Sequence, residues 1–270
     1  MAGVYTLRIP RHACTPRDTA RAGDLWRLVQ DAAVNDAADR GWPPSRFRAL
    51  GTGFVVREMH AVHEREAMYG EDLRITTQIA NHRREVLMRR ETQIEGVMRA
   101  TADWVHVGRE GGPTRASPEL IGAFPVDASA PELPEFEPGT SPGSVALPDF
   151  AFSPWWTEMD PLAHTNHPRY VDWADEVLAR ALHACGLDPI GVVPFAERVR
   201  FRLGARATDT VTVSGTTAFL TLADGRPALS CQLRARRQGQ RGDEVVADLE
   251  IVRAHLDDAV PARLVEALRG

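Results

Sequence analysis

Apolar and polar positions along this chain follow two rhythms, and the order of the rhythms occurs twice. Residues 4–9 alternate with a period of two, as a short strand does. Leu25, Leu28, Val29, Ala32 and Ala33 then recur at helical spacing within 25–40, with Asp24 placed to cap the start and Gly41 to stop the end. Four stretches after it, 54–64, 72–81, 86–94 and 99–107, have strand character, with turn signals such as Tyr69-Gly70 and Glu95-Gly96 between them. The first half therefore predicts a strand, a helix and a meander of strands.

Between 127 and 149 frequent proline and scattered glycine forbid regular structure, which predicts a linker joining an N-terminal domain over 1–126 to a C-terminal domain over 150–270. The pattern then repeats: a strand at 151–156, a helix at 168–185, strands at 194–203, 210–222, 228–236 and 244–253, and a short closing helix at 261–268. Matching Gly41 to Gly186 places Leu25 on Tyr170, Leu28 on Trp173 and Asp31 on Glu176, so the two helices share one apolar register. The expectation is an α+β chain with two curved antiparallel sheets, each wrapped around a long central helix. That is a hotdog arrangement present in two copies, a double hotdog.

Of the 270 residues 43% are hydrophobic and 26% charged, the balance of a packed globular protein. A net charge of −5 argues against a general attraction for nucleic acid, and every basic residue is arginine. No stretch approaches the roughly twenty apolar residues of a membrane span, and the N-terminus lacks a secretory pattern, so a cytoplasmic protein without membrane contact is expected. Cys14, Cys185 and Cys231, odd in number and far apart, suit neither a disulfide framework nor a four-ligand zinc site, and all three are read as reduced and structural.

The stretch 155–176, WWTEMDPLAHTNHPRYVDWADE, leads from a strand through a polar turn into the second helix. Asp160-Pro161 forces a turn, and Pro168 suits a first helical turn, where its missing N–H costs nothing. Asp160, His164 and Asn166 are thereby gathered near a helix start, whose free backbone N–H groups and dipole suit a thioester carbonyl and the oxyanion formed on attack. A neighbouring carboxylate or imidazole activates water or attacks directly, and Asp160 and His164 are the two candidates. Singly, each has a plainer role: Asp160 as a turn residue, His164 as a hydrogen-bonded loop histidine, Asn166 as a helix cap. Their joint occurrence points to chemistry.

EMDPLAHTNHPRYVDW resembles the hotdog thioesterase signature, in which a carboxylate is followed by a small residue, His, a hydroxyl or aliphatic residue, Asn, and then Tyr and Trp on the helix. Asp160, Ala163, His164, Asn166, Tyr170 and Trp173 fall on those positions. In the first half, DLWRLVQDAAVNDAADRGW, GFVVREMH, YGEDLRITTQI, LMRRETQI and RATADWVHV resemble, in order, the N-terminal hotdog of the plant and bacterial acyl-ACP thioesterase family. The resemblance implies catalysis in the C-terminal hotdog and an acyl-shaping N-terminal one. The internal alignment agrees, since Thr15, Thr19 and Arg21 face Asp160, His164 and Asn166. Two departures from the plant pattern stand out: Leu162 replaces an asparagine between Asp and His, and Leu203 or a neighbour replaces a glutamate on the following strand. Glu176 and Glu158 are candidate replacement carboxylates, with a solvated helix face as the plainer account of Glu176.

The reaction expected is hydrolysis of an acyl carrier protein or coenzyme A thioester by Asp160, His164 and Asn166, with Glu176, Ala163 and Tyr170 in support and no metal or cofactor. Two readings stay beside it: a hotdog dehydratase or cyclase using Asp160 and His164 as an acid/base pair, and a non-catalytic acyl-binding protein. The tandem chain is expected as a monomer or homodimer. His60 and His63 point to opposite strand faces, so with His106 they make a poor metal set, and the glycines of LGTGF lack the context of a phosphate loop. The arginines of 83–84, 89–90 and 234–237 are read as solvent-exposed, a positive rim fit for an acidic carrier or coenzyme A phosphates.

Overall fold

The computed structural model describes residues 2–130, 133, 143–239 and 242–269. The chain forms two compact units, Met1–Cys14 with Asp18–Glu135, and Thr15–Arg17 with Phe136–Gly270. Of the stretch read as linker, residues 131–132 and 134–142 lie outside the described residues.

In the first unit, β1 (Gly3–Arg8) leads to α1 (Ala22–Asp39), α2 (Pro44–Leu50), the strands β2 (Gly53–His63), β3 (Asp72–Arg83), β4 (Leu87–Ile94) and β5 (Met98–Val107), and α3 (Pro118–Ala123). The sheet is antiparallel in the order β1-β3-β4-β5-β2. Alternation decides which face is covered: Leu73, Ile75, Thr77 and Ile79 of β3 all point inward. Over them lies the apolar stripe of α1, with Leu25, Trp26, Val29, Ala32 and Ala33 buried. Asp24 is not the cap; the helix starts two residues earlier, and the carboxylate sits in its first turn between Arg21 and Arg27. Arg90 also departs from the expected exposure. It is buried and donates to Asp36 of α1 at 2.7 Å and to Thr77, while Arg89 faces outward to Asp103.

The second unit repeats this plan. Its elements are β6 (Val145–Phe152), α4 (Arg169–Ala184), β7 (Val192–Phe201), β8 (Val211–Thr221), β9 (Pro227–Gly239), β10 (Gly242–His255) and α5 (Val260–Ala267). Its antiparallel order β6-β8-β9-β10-β7 matches β1-β3-β4-β5-β2 strand for strand. α4 buries Tyr170, Val171, Trp173, Ala174, Val177, Leu178, Ala181 and Leu182. Both helices end on a left-handed glycine, Gly41 at φ 81° and Gly186 at φ 68°, the two residues paired by the internal alignment. β6 begins at Val145, inside the stretch read as linker, and ends short of residue 156. The strands of each unit carry register shifts, such as Val56/Glu58 in β2 and Leu147/Phe150 in β6, which bend them. Among the described residues no helix is long and apolar enough to cross a membrane.

Candidate active site

Between β6 and α4 the chain makes a 3-10 turn, Trp156–Glu158, and then a tight hairpin. Asn166 N–H donates to Glu158 O at 2.9 Å, Met159 bridges Thr165, and Asp160 N–H donates to His164 O at 2.7 Å. At the tip Ala163 N–H closes on Asp160 O, with Ala163 in the left-handed region at φ 59°. Asp at the first corner of a turn and Pro at the second is the chemistry such a turn favours. One carboxylate oxygen, Asp160 Oδ1, accepts from Leu162 N–H at 2.8 Å and from His164 N–H at 3.2 Å. The other, Oδ2, has no hydrogen-bond partner among the described residues.

The hairpin is fastened from the loop after β7. Thr165 N–H donates to Ala205 O at 2.7 Å, and Ala205 N–H donates to the Tyr170 hydroxyl at 3.2 Å. Arg237 Nη1 holds Gly204 O at 2.8 Å and Asp209, and its other edge pairs with Glu244. The His164 imidazole lies on Gly204, where an added Cβ would come within 2.4 Å of the ring. Neither Gly204 nor this Arg237 network was evident from the sequence, because Gly204 lies 40 residues and Arg237 lies 73 residues beyond His164. Arg237 is thus turned inward; of its group Arg234 is exposed as expected and paired with Asp248, and Arg236 is half-buried and bonded to Ser214.

Tyr170 is buried against Trp173 and Phe201, and burial pushes its phenol up to about 12, so the hydroxyl stays protonated. Glu176 is not brought to the hairpin. It is exposed, bonded to Arg180 at 2.7 Å, and lies six residues, about 9 Å along the axis at 1.5 Å per residue, beyond Tyr170. Glu158 is committed as well, capping Trp155 N–H at 3.2 Å. Leu162 and Leu203 are exposed, as are Trp155 and Trp156 beside the hairpin.

The start of α4 also differs from expectation. Its first-turn amides are already engaged, Arg169 N–H by Asn166 O, Tyr170 N–H by His167 O and Val171 N–H by Pro168 O. Pro168 at φ −63° and ψ −22° is already helical, and the tightened turn that results consumes the donors assigned to an oxyanion.

The first half contains the same hairpin, displaced by 145 positions. Cys14 bridges Ala20 as Met159 bridges Thr165, Arg21 N–H reaches Ala13 O as Asn166 N–H reaches Glu158 O, and left-handed Asp18 stands where Ala163 does. Thr15 Oγ1 takes the amide of Arg17 as Asp160 Oδ1 takes that of Leu162. The scaffold is retained with Thr15, Thr19 and Arg21 in place of Asp160, His164 and Asn166, and Thr19 bonds Glu66 where His164 meets Gly204.

The three cysteines are free, and burial beside Thr217 pushes the Cys231 thiol up to about 11. Among the described residues no group of three or more His, Cys, Asp or Glu is gathered to hold a metal ion, and His106 Nδ1 is spent on Thr114 O.

No protein-family model matches the chain, and no curated protein matches it in sequence. Solved structures do match it over nearly their whole length. An oleoyl thioesterase from Lactobacillus plantarum superposes with a TM-score of 0.75 at 18% identity, covering 95% of this chain and 97% of that one. An acyl-ACP thioesterase from Bacteroides thetaiotaomicron gives a TM-score of 0.70 at 12% identity, with 93% and 97% covered. The 12:0-ACP thioesterase from Umbellularia californica gives 0.66 at 16%, with 94% of each chain covered. At these identities the likeness establishes a shared fold.

Proposed function

We propose that this chain is a double hotdog thioesterase that hydrolyses acyl groups from an acyl carrier protein or coenzyme A, the second unit being the catalytic one. The observation that carries the reading is the pair of matching hairpins: one backbone geometry, with Asp160, His164 and Asn166 on the second copy where the first has Thr15, Thr19 and Arg21. The folds of chains named as oleoyl, acyl-ACP and 12:0-ACP thioesterases support it.

In this reading the two amides on Oδ1 fix the Asp160 carboxylate and leave Oδ2 to take a proton from water. The water oxygen attacks the thioester carbon, the C–S bond breaks, and His164 relays the proton to the departing sulfur. Acid and thiol leave, and water is the only co-reactant. With the first-turn amides of α4 engaged, the carbonyl donor is assigned to the Asn166 side-chain amide.

The test is thiol release from a panel of acyl-CoA and acyl carrier protein thioesters, with mass analysis of the acyl product. One free carboxylic acid per thiol is expected. A product that keeps its thioester and gains a double bond or ring would make the chain a dehydratase or cyclase, and tight binding without turnover would make it an acyl-binding protein.

A further inference from the structure

Among the described residues neither ring nitrogen of His164 has a hydrogen-bond partner; only its backbone is bonded, its N–H and its carbonyl both to Asp160. A proton-transfer imidazole works when a third group fixes its orientation. Here contact takes that part. A Cβ added at Gly204 would come within 2.7 Å of Cγ, Cδ2 and Nδ1 of His164, so the bare Cα of Gly204 is the seat of the ring. Where the seat lies then decides where the ring lies.

Residues 242–246 of β10 run past its last pairing with β7, that of Ala247 with Phe201. The chain leaving β7 bonds β10 once more, Arg202 and Leu203 N–H both donating to Val246 O. Arg237 of β9, opposite Glu244 on the overhang, then catches it again. Its Nη1 donates to Gly204 O at 2.8 Å and to Asp209 Oδ2 at 3.2 Å, and its Nε to Glu244 Oε2 at 2.9 Å. Asp209 Oδ2 also takes Arg206 N–H at 2.8 Å, so the guanidinium closes the turn that follows the seat. A planar fork suits several acceptors in fixed directions, which a lone ammonium does not. Losing the arginine would strand no wholly buried charge, since the side chains of Asp209 and Glu244 are 16% and 42% accessible. The first copy differs at this place. Ala20 N–H reaches Ala67 O as Thr165 N–H reaches Ala205 O, but Glu66 stands where Gly204 does and bonds Thr19, and the loop's own Glu71 takes Arg65 and Met68 N–H. The glycine seat with an arginine on its carbonyl goes with the copy that carries the histidine.

Building on the thioesterase reading, we propose that Arg237 is a positioning residue for the hydrolysis, gripping the Gly204 carbonyl and thereby placing the His164 imidazole. The experiment measures kcat and KM, for dodecanoyl-CoA or whichever thioester of the panel is cleaved fastest, in the wild type, Arg237→Met, His164→Ala and the double variant. Arg237→Met is expected to lower kcat about tenfold or more and leave KM within about twofold, since a misplaced group costs rate and not binding. In the His164→Ala background the same change is expected to cost less than about twofold, because the ring through which Arg237 acts is gone. A general loosening of the fold lowers both backgrounds alike, and that result overturns the proposal, as does an unchanged kcat in Arg237→Met. Arg237→Lys, which keeps the charge without the fork, takes the same place in the cycle if the methionine variant does not fold; failure of both to fold makes the arginine structural and overturns the proposal too. Each of these results leaves the thioesterase reading intact, whereas a wild type that turns over no thioester overturns both.

Discussion

A Cβ on Gly204 would lie 2.4 Å from Cγ of His164, so the imidazole occupies the place a side chain would take. Gly204→Ala should therefore displace the ring while leaving the Arg237 and Thr165 ties of this loop in place. The expected outcome is a loss of about tenfold or more in kcat, consistent with a misplaced catalytic group, with the melting temperature little changed. Ala163 sits in the left-handed region at φ 59°, a conformation that costs a residue with a side chain about 1 kcal/mol. Ala163→Gly should raise stability in urea titration by up to about 1 kcal/mol, part of the relief being offset by the freer unfolded chain. Tyr170 adds a pH dependence. Its phenol is raised to about 12 from the ordinary 10.0, so the folded state keeps a proton that the unfolded state loses. Its contribution is full below pH 10 and is lost as pH climbs from there to about 12. Stability measured from pH 9 upward should fall less steeply in Tyr170→Phe than in the wild type; Tyr5, whose phenol is raised in the same direction, keeps some slope in both.

The elements were legible where one physical signal dominated. The helical stripes of α1 and α4 and the alternation in β2–β5 and β7–β10 followed from which side chains must leave water. β6 was partly hidden by Pro148, which reads as linker. Among the described residues it is an edge strand paired with β8 alone, and its register shift spans Leu147/Phe150, so the missing N–H breaks no ladder. Arg90 was misread because its partner is distant: nothing local announces Asp36, 54 residues away, as the acceptor that permits burial. Asp36→Ala would strand that guanidinium and should cost about 3–5 kcal/mol in chemical denaturation. In the site, the spacing of Asp160, His164 and Asn166 was legible because one short hairpin carries all three. The engaged amides of α4 were not, because they depend on the helical backbone of Pro168 and on carbonyls that spacing does not place.

At the scale of the whole molecule, the chain uses one plan twice and differs between copies at the matched positions of Asp160, His164 and Asn166. The 145-residue displacement relates bridge to bridge, left-handed residue to left-handed residue and helix-ending glycine to glycine. In the proposed reading, this correspondence, with Thr15, Thr19 and Arg21 facing Asp160, His164 and Asn166, makes the first hairpin scaffold and the second the site of hydrolysis. The most direct test is thiol release by the wild type beside Asp160→Asn and His164→Ala in the second hairpin, and Thr15→Ala and Thr19→Ala at the matching positions of the first. Asp160→Asn should lower kcat by about a hundredfold or more and His164→Ala by a similar order, with folding retained, because each removes a proton-transfer group. The two threonine changes should leave kcat within a few-fold of the wild type. Undiminished turnover in Asp160→Asn, or an equal loss from the threonine variants, would contradict the assignment of the reaction to the second hairpin.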